Sequence, residues 1–340
     1  MNAPTVIENL KPKDFASDQE VRWCPGCGDY AIIKGVQRTL AEIGARPENT
    51  VFVSGIGCSS RFPYYMETYG FHTIHGRAPA IATGVKLANP ELDVWVVTGD
   101  GDGLSIGGNH MLHALRRNVD LQILLFNNEI YGLTKGQYSP TSRRGTRSPS
   151  TPMGSVDLPL SPAQMAIGAG GRFVARGVDT QQKELLETLK LAHAHNGTSF
   201  IEIFQNCIVY NDGVFDSFAE KSVAADRQIH VNHGQPLRFG KDGNRGLRLN
   251  AEKLALEAVT VGEDGVAEDD ILVHDESSRP LALMLAAMEP PEMPMAMGVL
   301  YSAEEQTYED AAMAQVEAAI AKSPEADVNA LLRSGATWTV

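Results

Sequence analysis

Short, almost continuous apolar runs alternate with segments of helical periodicity between residues 50 and 207. The apolar runs are 50–54, 93–98, 121–126, 172–175 and 199–204, and helical patterns include 106–117 and 181–195. Apolar strands that alternate with helices are typical of a parallel sheet covered by helices on both faces. The pattern therefore predicts an α/β fold, in which ligands bind at the carboxyl ends of the strands.

Three regions of the chain differ in pattern. Residues 1–20 are polar and are expected to form an N-terminal arm, whereas residues 21–230 carry the alternating pattern of a main domain. Residues 231–340 are less regular, and we expect this C-terminal extension to pack on the main domain or on a partner subunit. Within it, residues 304–322 favour an amphipathic helix. The polar segment 139–162 is long for a loop inside a domain, which is typical of functional or disordered segments.

The charge balance argues against polyanionic partners. The 340 residues include 29 Lys+Arg and 42 Asp+Glu, a formal charge of -13, so we expect neither nucleic acid nor a membrane as partner. No stretch reaches the roughly 18 apolar residues that span a bilayer, and the N-terminus lacks the apolar core of a secretory signal. We therefore expect a cytoplasmic protein, in which cysteines more often serve metals, clusters or catalysis than disulfides.

Two polar clusters follow neighbouring apolar runs. Asp100 lies in the segment 99–102, Gly-Asp-Gly-Asp, and Asn128 lies in a pair of asparagines. Adjacent parallel strands would bring both side chains to one edge of the sheet, where carboxylate and amide oxygens suit Mg²⁺. The flanking glycines let the backbone approach a diphosphate. The alternative is that both clusters are turns that simply end strands. Together they resemble the motif of thiamine-diphosphate enzymes.

The four cysteines form a second set of candidate ligands. Cys24 and Cys27 make a C-x-x-C motif, whereas Cys58 and Cys207 each lie just beyond a predicted strand. Four thiolates suit either a structural Zn²⁺ or a [4Fe–4S] cluster, and the spacing does not separate zinc from iron. A thioredoxin-like dithiol would leave two cysteines unexplained, and buried thiols without a ligand are a further alternative.

Five short motifs occur in one order along the chain. They are 23–28 (WCPGCG), 55–60 (GIGCSS), 75–78 (HGRA), 99–102 (GDGD) and 131–137 (YGLTKGQ). In this combination the chain resembles the β subunits of the 2-oxoacid:ferredoxin oxidoreductases, most of all the 2-oxoglutarate type. The resemblance runs from about residue 24 to 212, with a weaker match around 274–276.

The resemblance implies a role for each matching residue. The thiolates of Cys24, Cys27, Cys58 and Cys207 would hold one [4Fe–4S] cluster. Mg²⁺ would be held by Asp100, Asn128 and the carbonyl of Ile130. Thiamine diphosphate would contact Ile56, Gly57, Cys58, Ser59, Gly101, Asp102, Gly132 and Leu133. His75 would lie close to the cofactor and act as a proton donor or acceptor. Both cofactors would therefore lie in the thiamine-diphosphate-binding domain, residues 21–230.

The resemblance also implies an activity. It is the thiamine-diphosphate-dependent oxidative decarboxylation of a 2-oxoacid to acyl-CoA and CO₂, with one-electron transfers through the cluster to ferredoxin. The partners would be coenzyme A, ferredoxin and an α subunit in an α₂β₂ heterotetramer. The family's activating glutamate comes from that α subunit, and no motif for it occurs here. Three alternatives are a decarboxylase or synthase with structural zinc, a pyruvate-specific member, and a scaffold without catalytic activity.

Arg61 is a candidate for substrate recognition. It follows the cysteine-containing loop 55–60. A planar guanidinium suits a bidentate contact with the distal carboxylate of a dicarboxylic 2-oxoacid. The alternative is a solvated surface arginine without a function.

Overall fold

An eight-stranded sheet forms the centre of the protein. The computed structural model describes residues 10–322 and 327–338. The strands of the described residues, which belong to this sheet and to two smaller ones, are β1 (Thr50–Ser54), β2 (Tyr69–His72), β3 (Asp93–Gly99), β4 (Gln122–Asn127), β5 (Ile130–Tyr131), β6 (Gln137–Tyr138), β7 (Phe173–Val178), β8 (Ser199–Phe204), β9 (Gln228–Val231), β10 (Arg238–Phe239), β11 (Arg245–Asn250), β12 (Ala255–Thr260) and β13 (Met295–Ser302).

The described part of the chain also forms α-helices. They are α1 (Asp29–Glu42), α2 (Ala78–Ala88), α3 (Asp100–Leu104), α4 (Gly108–Arg117), α5 (Pro162–Gly168), α6 (Gln182–Ala194), α7 (Asp216–Ala219), α8 (Ala224–Arg227), α9 (Arg279–Ala286), α10 (Tyr308–Lys322) and α11 (Val328–Leu332). Short 3₁₀ segments span Pro12–Phe15, Pro47–Asn49, Ser59–Tyr65 and Glu268–Asp270. Within the described residues, no helix combines the length and the apolarity that crossing a membrane requires.

The strand order in the central sheet is β2-β1-β3-β4-β8-β7-β13-β9. All neighbours are parallel except β13 and β7, which are antiparallel. A strand forms at each of the five predicted apolar runs, and the predicted α/β class is confirmed. Strands β10 to β12 form a separate antiparallel sheet, and β5 and β6 form a small hairpin.

Alternate residues of the inner strands enter two different cores. On β3, Val94 and Val96 pack with α2, α4, α5 and α9, whereas Trp95 and Val97 pack on the opposite face with α1 and α6. Because side chains of a strand point alternately to the two faces, a strand covered on both sides must be apolar throughout. This is why these strands read as continuous apolar runs in the sequence.

The C-terminal part of the chain contributes strands to the main sheet. The boundary at residue 230 falls inside β9, and β13 is inserted between β7 and β9 in the main sheet. Residues 231–340 therefore complete the main sheet as well as packing on it. The sequence pattern did not predict strand β13. Its sequence is rich in methionine, and the strand contains Gly298 at φ 92° and has an irregular register beside β7.

Both ends of the chain contain short structured elements. In the predicted arm, Phe15 is fully buried, and Ala16 forms a β-bridge with Met66. Residues 1–9 of this arm lie outside the described residues. The helix predicted at 304–322 forms as α10, but from Met313 to Lys322 every residue is exposed. The apolar face of this helix is therefore not packed against the rest of the described chain.

A buried ion pair joins β7 to β8. Arg176 and Glu202 are directly opposite in the register, with Nε and Oε2 2.9 Å apart and side chains only 4% and 1% exposed. The amide of Asn127, at the end of β4, donates to the other Glu202 oxygen at 2.8 Å. Three neighbouring strands are thus linked through one buried carboxylate.

Replacing Arg176 with methionine should lower the free energy of unfolding by about 3–5 kcal/mol, because the Glu202 carboxylate stays buried without its cation. Chemical denaturation of the purified chain measures this loss. Arg248→Met is the matched control, since the Arg248–Glu257 pair is about one third exposed and contributes far less. Equal losses in the two variants would contradict this account.

Candidate functional site

The carboxyl ends of three parallel strands meet around one cavity of about 400 Å³. Strand β3 pairs in parallel with β1 and with β4, so the chain leaves all three strands at the same edge of the sheet. The cavity is lined by Ile56, Gly57, Cys58, Ser59, His75, Gly99, Asp100, Gly101, Asp102, Phe126, Asn128, Ile130, Tyr131, Gly132, Leu133, Thr134 and Gln137. Every residue that the resemblance implied for thiamine diphosphate or Mg²⁺ lines it, and so does His75.

Glycines allow the backbone to form the wall of this cavity. A Cβ atom at Gly101 would lie 2.2 Å from the ring of Tyr131, and one at Gly55 would lie 1.9 Å from Oδ2 of Asp102. Gly57 has a φ of +131° and has no atom within 4 Å of a potential Cβ. The loop therefore presents main-chain groups to the cavity, as a site for a diphosphate requires.

Asp100 is a buried carboxyl at the start of α3. The hydroxyl of Thr141 lies 2.6 Å from its Oδ2 and 3.0 Å from Oδ1 of Asn127. Burial raises the pKa of Asp100 to about 6, although hydrogen bonds from Ser139 and Thr141 act in the opposite direction. A cation bound beside this carboxyl would offset the cost of burying its charge.

The turn after β4 brings further oxygen atoms to the same place. Oδ1 of Asn128 accepts a hydrogen bond from the amide of Ile130 at 3.2 Å, and its Nδ2 donates to Gln205 at 2.8 Å. Between them Glu129 adopts a φ of 54°, and Ile130 lines the cavity. A carboxylate, an amide oxygen and a main-chain carbonyl form a donor set that suits Mg²⁺.

Glu129 itself lines a different cavity from this donor set. Its Oε2 lies 3.2 Å from Nε of Arg143. Burial raises the pKa of Glu129 to about 7, and the guanidinium of Arg143 opposes that rise.

All four cysteines line a second cavity of about 200 Å³. None of them forms a disulfide. A Cβ atom at Gly132 would lie 3.6 Å from the sulfur atoms of both Cys58 and Cys207. The indole of Trp23 donates to the carbonyl of Cys58 at 2.7 Å, which holds the loop between the two cavities. Since Cys58 lines both cavities, they adjoin at this residue.

The four thiols line this second cavity as free side chains. In the described part of the chain, no group of three or more His, Cys, Asp or Glu side chains is arranged to hold a single metal ion. Cysteine thiolates can ligate either a zinc ion or an iron–sulfur cluster. Burial raises the pKa of Cys58 to about 11 and also raises the pKa of Cys27. Binding of a metal or cluster here would therefore release protons.

Several residues of the site were not predicted, and one predicted residue lies elsewhere. Arg61 lines the cysteine cavity and not the larger one. Ser139, Thr141 and Ser142, from the long polar segment, are buried, and Thr141 contacts Asp100 while Ser142 contacts the carbonyl of Glu129. Their sequence carries no signal of this, because the contacts reach back to residues far away in the chain. Tyr131 lies within a quoted motif, yet only the packing shows that its ring covers Gly101.

The chain is similar to known proteins both in sequence and in structure. Residues 55–203 match the family model of the C-terminal TPP-binding domain of thiamine pyrophosphate enzymes. The 2-oxoglutarate oxidoreductase subunit KorB of Mycobacterium tuberculosis is 51% identical, over 99% of this chain and 90% of that protein. The β subunit of 2-oxoacid:ferredoxin oxidoreductase 1 of Aeropyrum pernix is 49% identical, over 56% of this chain and 60% of that protein.

A solved structure is similar over almost the whole chain. It is a 2-oxoglutarate:ferredoxin oxidoreductase from Magnetococcus marinus with 2-oxoglutarate, coenzyme A and succinyl-CoA bound. The matching chain is 34% identical, with a TM-score of 0.78 and coverage of 98% of each chain.

Replacing Gly55 with alanine should lower the free energy of unfolding by about 1–3 kcal/mol, because the new methyl group overlaps the buried Asp102 carboxylate. Thermal or chemical denaturation measures the effect. Gly84→Ala is the control, since Gly84 lies in α2 with no atom within 4 Å of its potential Cβ, and alanine favours helices. A Gly55→Ala variant as stable as this control would refute the close contact.

Proposed function

We propose that this chain, which belongs to the family of 2-oxoacid:ferredoxin oxidoreductase β subunits, binds thiamine diphosphate, Mg²⁺ and one [4Fe–4S] cluster and takes part in the oxidation of 2-oxoglutarate. The observation that carries the proposal is the shared wall of two cavities. One has the Asp100 and Asn128 oxygens, the other has four cysteines, and Cys58 belongs to both.

The larger cavity fits the diphosphate end of the cofactor. Asp100, Asn128 and the carbonyl of Ile130 would hold Mg²⁺, and the glycine-walled loops would place main-chain groups beside the diphosphate. When bound, thiamine diphosphate supplies an electron sink for the loss of CO₂ from a 2-oxoacid. The chain's own part is to position the cofactor and to place His75, which lines the same cavity, beside the reacting groups.

The smaller cavity offers four cysteines as ligands for the proposed cluster. Cys24, Cys27, Cys58 and Cys207 line it together with apolar side chains such as Trp23 and Ile208. An apolar surround limits access of water to a cluster and influences its potential. The loop through Cys58 would hold both cofactors side by side, which suits transfer of electrons out of the active site.

The relatives support a dicarboxylic substrate. The M. tuberculosis relative carries 2-oxoglutarate in its name, and the M. marinus structure contains 2-oxoglutarate and coenzyme A. On this chain, Arg61 would meet the distal carboxylate of 2-oxoglutarate. Its position beside Cys58 requires the substrate to extend from the larger cavity toward the cysteines. An enzyme specific for pyruvate would not need this arginine, because pyruvate has no distal carboxylate.

The same relatives support an assembly of subunits. Names such as "subunit KorB" and "subunit beta" describe parts of larger enzymes. We propose an α₂β₂ heterotetramer in which the α subunit provides the missing activating glutamate, with ferredoxin as electron acceptor. The four free thiols fit a cytoplasmic location, where disulfides are disfavoured.

Anaerobic purification with the partner subunit tests the whole proposal. The enzyme should contain iron and no stoichiometric zinc, and should reduce a viologen dye with 2-oxoglutarate and coenzyme A faster than with other 2-oxoacids. Zinc in place of iron would favour the decarboxylase or synthase alternative. Iron without reduction by any 2-oxoacid would reject the activity, and preference for pyruvate would reject the substrate.

Replacing Arg61 with alanine should raise the KM for 2-oxoglutarate about tenfold or more, since a charge-assisted hydrogen bond is worth about 1.5–3 kcal/mol. The KM for pyruvate should change little, because pyruvate has no distal carboxylate. Steady-state kinetics with both substrates measures the difference. Arg22→Ala is the matched control, since Arg22 lines the same cavity but pairs with Glu20. Equal changes for the two substrates would disprove the role of Arg61.

A further inference from the structure

One carboxylate connects three segments at the wall of the larger cavity. Asp102 is 3% exposed. Its Oδ1 accepts hydrogen bonds from the amides of Ile56 at 3.0 Å and Gly76 at 2.7 Å, and lies 2.6 Å from Nδ1 of His75. Its Oδ2 accepts from the hydroxyl of Thr98 at 2.6 Å. Both oxygens of Asp102 are therefore engaged by donors of the protein itself.

These contacts determine which nitrogen of His75 carries hydrogen. Two backbone amides already point at Oδ1 of Asp102, and an amide only donates. The carboxylate oxygen is thus an acceptor, and the nitrogen that faces it must be a donor. The hydrogen-bond network therefore assigns the hydrogen to Nδ1 of His75. The lone pair of a neutral imidazole then lies on Nε2.

The turn that carries His75 has little freedom to move. Gly76 has a φ of +71°, and a Cβ atom there would lie 2.5 Å from the backbone nitrogen of Gly107. On another side the ring of Tyr131 stands edge-on to the imidazole, with ring centroids 6.2 Å apart. The hydroxyl of Tyr131 donates a hydrogen bond to the carbonyl of Gly101 at 2.9 Å. Asp102 is accordingly the only polar side chain for which the described structure gives a hydrogen bond to this ring.

We propose that Asp102 is a positioning residue that holds His75 as the Nδ1–H tautomer, with Nε2 directed to the cavity as the atom that takes up a proton. This assigns Asp102 a different task from the direct cofactor contact that the resemblance implied. The carboxylate would also compensate the positive charge that the imidazole gains when Nε2 is protonated. The role in turnover rests on the proposed function, whereas the tautomer does not.

The tautomer is measurable on the isolated chain. Nitrogen NMR of the ¹⁵N-histidine-labelled protein at about pH 8, where an ordinary imidazole is neutral, distinguishes protonated from unprotonated ring nitrogens. His75→Gln identifies the resonances of His75 by their loss. We expect a protonated Nδ1 and an unprotonated Nε2. A protonated Nε2 in the wild-type chain would overturn the proposal, whatever the variants do.

The Asp102→Asn variant removes the charge of this residue and keeps its shape. The amide oxygen still accepts from Ile56 and Gly76, and the new NH₂ group faces the Thr98 hydroxyl, which then accepts. The weaker, uncharged acceptor should reduce the Nδ1–H population of His75. Asp100→Asn is the matched control, because it removes a buried carboxyl from the same helix without a bond to His75. Equal NMR changes in both variants would contradict a specific role of Asp102.

Kinetics of the assembled enzyme tests the consequence for turnover. Asp102→Asn should lower kcat roughly 10- to 100-fold, less than the about 10²–10⁴-fold effect of a complete general acid–base group. The KM for the 2-oxoacid should change less than about twofold, because the carboxylate does not bind substrate. A rise in KM with unchanged kcat would reject the role. An inactive wild-type enzyme with the expected tautomer would reject the proposed function alone.

Discussion

The parallel pairing of β3 with β1 on one side and β4 on the other is the constraint on which the site depends. It brings the ends of the three strands to one edge, so that the loops beginning at Gly55, Asp100 and Asn128 face one cavity. Parallel pairing requires helical crossovers, and these cover both faces of the sheet. The strands are consequently apolar throughout, and the polar chemistry is confined to their ends.

Buried carboxyl groups at this edge are stabilised in different ways. Asp102 has four protein donors around its two oxygens. Asp100 has hydroxyl partners, yet burial still raises its pKa to about 6. A fully satisfied carboxylate serves as a rigid support, whereas an incompletely compensated one is suited to receive a cation. On the proposals made above, two aspartates of one short motif would have separate tasks, positioning and binding.

The loop 55–60 connects the two halves of the proposed chemistry. Gly55 lets it pass against Asp102, Ile56 donates to that carboxylate, and Cys58 belongs to the walls of both cavities. The indole of Trp23 fixes the same loop from the side of the C-x-x-C motif. A displacement of this loop would therefore affect both cavities together. This coupling gives a physical reason for finding the GIGCSS and WCPGCG motifs in one chain.

The sequence by itself determined the five strands at the apolar runs, the helices at 106–117 and 181–195 and the shared edge for Asp100 and Asn128, because apolar runs and strand ends are local features that parallel packing converts into position. The family motifs predicted the residues implied for thiamine diphosphate, Mg²⁺ and the cluster. Only the tertiary structure decided the insertion of β13 into the sheet, the burial of Thr141 against Asp100, the placement of Arg61 beside the cysteines and the four bonds of Asp102. Each of these depends on contacts between residues distant in the chain, and such contacts leave no periodic pattern in the sequence.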